Sequence, residues 1–141
     1  MNENEVSVNT VADDFDISDF LTDPKLEIEG VWFGLGKGRE IKLARSKNET
    51  SQSLIRAKYK ANRVILEQDD DVSAKLNQDL MIEVYAHTII KGLRVNGKDV
   101  SYTPSKGIEM LQSQDFRDKI FAFAATQESY KAKAEDNAVK S

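Results

Sequence analysis

The sequence predicts an α+β fold, mainly α-helical: an N-terminal β-hairpin followed by about four helices, with a short turn-rich excursion between the second and third. Three observations predict it. Apolar residues alternate across "VWFGLGKGREIKL" with glycines at the centre, the period of two half-buried strands joined by a tight turn. On either side of residue 70, and again near the C-terminus, apolar residues recur every three or four positions, the period of amphipathic helices. Between these, "GLRVNGKDVSYTP" packs Gly92, Asn96, Gly97 and Pro104 into a short connector.

Composition narrows the function. The 141 residues suit one domain with its own core, and 40% hydrophobic with 31% charged residues reads as globular. No run approaches the roughly 18 apolar residues of a membrane span. The opening "MNENEVSVNT" lacks the basic-then-apolar order of a signal peptide, so a cytoplasmic protein without a membrane partner is expected. There is no cysteine and a single histidine, His87, which removes disulfides, thiolate metal sites, cysteine nucleophiles and Ser-His-Asp arrangements. No catalytic residue, cofactor or metal site is expected.

Charge is unevenly placed. Residues 1–30 hold nine acidic groups against one lysine, whereas 31–141 hold nineteen basic against fifteen acidic. The expected organisation is an acidic, flexible arm over 1–24, one globular domain over 25–135 and a frayed tail over 136–141. The whole-chain net charge of −4 speaks against nucleic acid as the main partner, since such proteins are usually strongly basic.

In chain order, "DDFDISDFLTDP" sets Phe15, Ile17, Phe20 and Leu21 among carboxylates, as one short amphipathic helix or a segment that orders on binding. Alternation over Ile28, Val31, Phe33 and Leu35, then Ile41 and Leu43, gives the hairpin. Gly34, Gly36 and Gly38 serve its turn, because their spacing is not that of a phosphate-binding loop. "QSLIRAKYKANRVILE" reads as a helix with Leu54, Ala57, Ala61, Val64 and Ile65 inward. Its outer face carries Arg56, Lys60 and Arg63 at i, i+4, i+7, the candidate partner-binding stripe.

"DDDVS" caps the next helix, about Val72 to Lys91, whose N-terminus favours carboxylates; the aspartates lack the spacing of a calcium loop. His87 is expected at the core edge, with no acid or nucleophile at helical spacing to make it catalytic. Gly92 reads as the stop. Asn96-Gly97 is the strongest two-residue turn signal, Thr103 and Pro104 open a further helix, and the last helix starts near Gln114 with Phe116, Ile120, Phe123 and Ala124 inward.

The order of these pieces resembles a known family. "GVWFGLGKGREIKLARSKN", the basic helix, "AHTIIKG", "VNGKDVSYTPSKGIEML" and "DFRDKIFAFA" together resemble the tail assembly chaperones of long-tailed bacteriophages, over about residues 25–140. Ala44, Arg45 and Asn48 are similar to the family's positions after its second hairpin strand. Gly97, Tyr102, Thr103 and Ser105 are similar to its glycine turn and step into a helix. Leu93 stands where the family often has an aromatic residue.

The resemblance implies a protein without an active site, made in the host bacterial cytoplasm. It implies binding to the tape-measure protein, promotion of tail-tube assembly, self-association and absence from the mature virion. It also implies contact with the tail-tube protein through a frameshifted longer form, this chain corresponding to the short one. The alternatives are a phage structural or head-tail connector subunit and, from another class, a small nucleic-acid-binding regulator using Arg56, Lys60 and Arg63.

Overall fold

The computed structural model describes residues 15–131. The first part of the acidic arm and the tail at 136–141 lie outside the described residues. A single 3-10 turn, Ser18–Phe20, precedes helix α1, Pro24–Glu29. Asp23 caps α1 by accepting the Lys25 N–H at 2.9 Å, and Pro24 occupies the first helical position, where a missing N–H is harmless. Gly30, at φ 101°, ends it. Ile28 therefore belongs to a helix, because the cap and proline before it outweigh its place in the alternating run.

Strands β1, Val31–Gly36, and β2, Arg39–Leu43, pair antiparallel with Phe33 opposite Ile41. Lys37 and Gly38 make the turn with φ of 59° and 74°, a left-handed pair that matches strand twist. Helix α2, Glu49–Ala61, is capped by Asn48, which accepts the Ser51 N–H at 2.9 Å. Asn62 ends it by donating its side-chain amide to the Lys58 carbonyl, and a single further turn, α3, Arg63–Leu66, follows.

Helix α4, Asp71–Val84, opens on a capping box in which Asp70 accepts the Ser73 N–H and Ser73 Oγ accepts the Asp70 N–H. The α-helix does not run on to Lys91. It widens into one π turn, Tyr85–Ile89, and the chain leaves as strand β3, Ile90–Val95. Two features account for the change. The β-branched run Thr88-Ile89-Ile90 favours extended backbone, and the Ala86 carbonyl is taken by the Tyr102 hydroxyl at 2.6 Å. Gly92 lies inside β3, not at a helix stop.

The expected architecture is thereby corrected. The connector is a second hairpin, β3 with β4, Lys98–Val100, around the Asn96-Gly97 turn. β3 also pairs antiparallel with β2, Leu93 opposite Ile41. The result is a four-stranded antiparallel sheet, β1-β2-β3-β4, spanning the middle of the chain, with six α-helices among the described residues. The first hairpin is neither N-terminal, since α1 precedes it, nor a separate unit. Main-chain groups on β2 need partners on both sides, and β3 supplies those that β1 cannot.

Helices α5, Pro104–Met110, and α6, Gln114–Ala124, close over one sheet face. Thr103 caps α5 through the Lys106 N–H. Ile41, Leu43, Ile82, Tyr85, Ile89, Leu111, Ile120 and Ala124 form one buried cluster. Phe33 stacks on Phe123 at 4.7 Å between ring centroids. Arg117, only 8% exposed, donates to the Leu111 carbonyl at 2.8 Å and so satisfies the end of α5, where a cation is favoured.

Two buried tyrosines and a half-buried one make the fold sensitive to alkali. Burial pushes up the hydroxyls of Tyr85, Tyr102 and Tyr130, that of Tyr102 to about 12. Unfolded tyrosine ionises near pH ~10, so their stabilisation is fully present below that and is lost as pH rises through the folded values. The thermal midpoint is expected to be flat from pH 8 to 10 and to fall from 10 to 12, less steeply in Tyr102→Phe.

Candidate functional site

The predicted basic stripe is divided between two elements. Arg56 and Lys60 lie on α2 and Arg63 begins α3, because Asn62 interrupts the helix. Arg56 donates to Glu49 at 3.3 Å and Ser53 at 3.2 Å, and Arg63 Nε lies 3.8 Å from Glu67. Lys60 has no ion pair among the described residues. Lys60 and Arg63 together line two adjoining shallow hollows with Tyr59, Val64, Ile65 and Leu66, and Arg56 does not join them. The structure thus brings together two of the three.

The apolar stripe of that helix is not inward as expected. Leu54 is half-buried, but Val64 is 76% exposed and Ala57, Ala61 and Ile65 are exposed too, as is Tyr59 beside them. The α2–α3 shoulder is therefore both basic and apolar. His87 is also exposed, on the π turn, and not at the core edge. The widened turn rotates it away from the face that Ile82, Tyr85 and Ile89 bury. Among the described residues, no group of three or more His, Asp or Glu side chains could hold a metal ion.

A second surface had no separate signal in the sequence. Where the ends of the sheet that carry the two hairpin turns meet α5 and α6, two adjoining hollows of about 180 and 170 Å³ share Leu35, Arg39 and Phe116. Leu93, Val95, Val100 and Met110 complete the larger apolar wall. Ligand pockets for small molecules usually measure ~300–1,000 Å³, so these hollows fit single apolar side chains better than a cofactor. Arg39 holds the strand ends in place by donating to the Leu35 and Gly36 carbonyls, each at 3.0 Å.

The outer sheet face carries a third arrangement. The Arg94 guanidinium lies 3.9 Å from the Trp32 ring centroid and its Nε donates to Glu40 at 2.8 Å. That hydrogen bond holds the Glu40 carboxyl below its ordinary range. A Cβ on Gly92 would stand 3.4 Å from the indole, an ordinary contact distance, so the Trp32 ring rests beside β3 at this position. Near α1, hydrogen bonds from Thr22 and then Arg45 hold Glu27 below the usual carboxylate range, against its partial desolvation.

Residues 43–141, from the last residue of β2 onward, match a family model of prophage proteins, so the protein is phage-derived. The chain belongs to the YdaY prophage protein family. That description names a phage origin and no tail-assembly role. No curated protein and no solved structure matches the chain.

Proposed function

We propose that this phage-derived protein is a tail assembly chaperone, which binds the tape-measure protein, promotes tail-tube assembly and is absent from the mature virion. It acts by binding and not by catalysis, in the host bacterial cytoplasm, with tail-tube protein as its second partner. Two things support the reading: membership of a prophage family and the spaced residues from "GVWFGLGKGREIKLARSKN" to "DFRDKIFAFA" that resemble such chaperones.

The observation that carries it is the open apolar groove of Leu35, Leu93, Val95, Val100, Met110 and Phe116. A long helical protein with apolar seams aggregates unless those seams are covered. A groove with hollows the size of one side chain receives such seams by helix-in-groove contact. Each hold is weak, and several copies along one partner hold it by avidity while remaining displaceable by tube subunits.

Co-expression with the longest helical protein encoded just downstream tests this. The long protein is expected to become soluble and to co-purify with several copies of this chain. Val95→Asp, which places a charge at an exposed position in the groove, is expected to cut the co-purified amount at least roughly tenfold, because a carboxylate must be desolvated against the apolar seam of the helix. Its thermal midpoint should stay close to that of the wild type. A long protein that stays insoluble, or this chain found in purified virions, overturns the assignment, and the second result identifies a connector subunit.

A further inference from the structure

The groove between the hairpin ends and α6 has a charged rim as well as an apolar wall, and its two hollows differ in how that charge is balanced. In the hollow walled by Leu93, Val95, Val100 and Met110 the charged pair is Arg94 and Glu40. These neutralise each other, Arg94 Nε donating to Glu40 at 2.8 Å. The adjoining hollow is lined by Leu35 and Phe116 together with Arg39, Asp115 and Lys119. Neither Arg39 nor Lys119 has an ion pair among the described residues.

Arg39 is held in place without being neutralised. Its Nε and Nη2 donate to the Gly36 and Leu35 carbonyls, each at 3.0 Å, and those acceptors carry no net charge. Nη1 has no partner among the described residues. A guanidinium fixed in this way meets a carboxylate with little further ordering of its own. Lys119 is exposed on α6, its Nζ 5.8 Å from the Phe123 ring centroid. Asp115 stands in the first turn of α6, where its carboxylate offsets the positive end of that helix. The rim of this hollow therefore keeps uncompensated positive charge beside an apolar floor.

We propose that the groove takes an amphipathic helix whose apolar seam is flanked by carboxylates, two apolar side chains entering the adjoining hollows and an Asp or Glu beside them meeting Arg39 and Lys119. This rests on the groove's role in the proposed function and adds the chemical class of segment that is held. Residues three or four apart share one helix face, which suits two side-by-side hollows each the size of one side chain. A seam flanked by lysines would set like charges against the rim. Arg39 and Lys119 thus determine which seams are accepted, while the apolar wall supplies the hold.

Fluorescence anisotropy of two labelled synthetic helices, with the same leucine seam but flanked by glutamates in one and lysines in the other, tests this on the full chain. The glutamate helix is expected to bind about tenfold tighter in dilute buffer. The difference should narrow at 1 M salt, where charges are screened beyond about 3 Å. Arg39→Glu/Lys119→Glu should reverse the preference, and Val95→Asp should weaken both helices. Equal binding of the two helices, both weakened by Val95→Asp, overturns the inference and leaves the groove as a helix site; if neither helix binds, both readings fall. A preference that survives Arg39→Glu/Lys119→Glu overturns it too, as does a chain mass above 15.9 kDa that returns to that of one chain in Val95→Asp, which identifies a second copy as the occupant. Because Arg39 also ties the strand ends, Lys119→Glu alone, at an exposed position, replaces the double variant if that does not melt like the wild type; it should narrow the preference, and an unchanged preference counts against the proposal in the same way.

Discussion

Tyr130→Ala is expected to lower the unfolding free energy by about 3–5 kcal/mol, the range for truncating a fully buried aromatic side chain. Tyr130 is 0% exposed and lies against Phe33 at 6.1 Å between ring centroids, which is itself stacked on Phe123. Its hydroxyl donates to the Leu43 carbonyl at 2.8 Å, and its own carbonyl receives the Asp23 N–H. One residue thus fastens the C-terminal turn, strand β2 and the start of α1. Removing only the hydroxyl, in Tyr130→Phe, should cost about 1–3 kcal/mol through the unsatisfied buried carbonyl. Urea unfolding separates the two, and a Tyr130→Ala value no larger than that of Tyr130→Phe would show that the ring contributes little to the core.

Local chemistry was legible in the sequence wherever a short-range signal decided the backbone. Asn96-Gly97, Thr103-Pro104 and the aspartates before Val72 are such signals, and turn or cap geometry stands at each. The sheet was not legible. Ile89 and Ile90 fit a helix running to Lys91, and the change to a strand depends on Tyr102, sixteen residues beyond Ala86, taking up a carbonyl. Nor does periodicity show whether an apolar stripe is covered. Val64 and Ile65 have helical spacing, but Asn62 ends α2 before them and both stay exposed. The groove was hidden for another reason, since Leu35, Val100 and Phe116 are far apart in sequence and meet only in the folded sheet.

Gly107→Ala is expected to destabilise the fold by about 2–4 kcal/mol, overriding the roughly 1 kcal/mol by which alanine is favoured over glycine within a helix. A Cβ there would overlap the Tyr102 hydroxyl oxygen and stand 3.1 Å from Ala86 Cβ. α5 and the π turn are packed through this contact, so the ring must move and its hydrogen bond to the Ala86 carbonyl must lengthen or break. Tyr102→Phe alone should cost about 1–2 kcal/mol, since it leaves that carbonyl unpaired but fills the same space. In the double variant the overlapping oxygen is gone, so the combined loss should fall short of the sum by about 1–2 kcal/mol. Strict additivity would mean that α5 yields by moving as a body, and that Gly107 is not what sets its distance from the π turn.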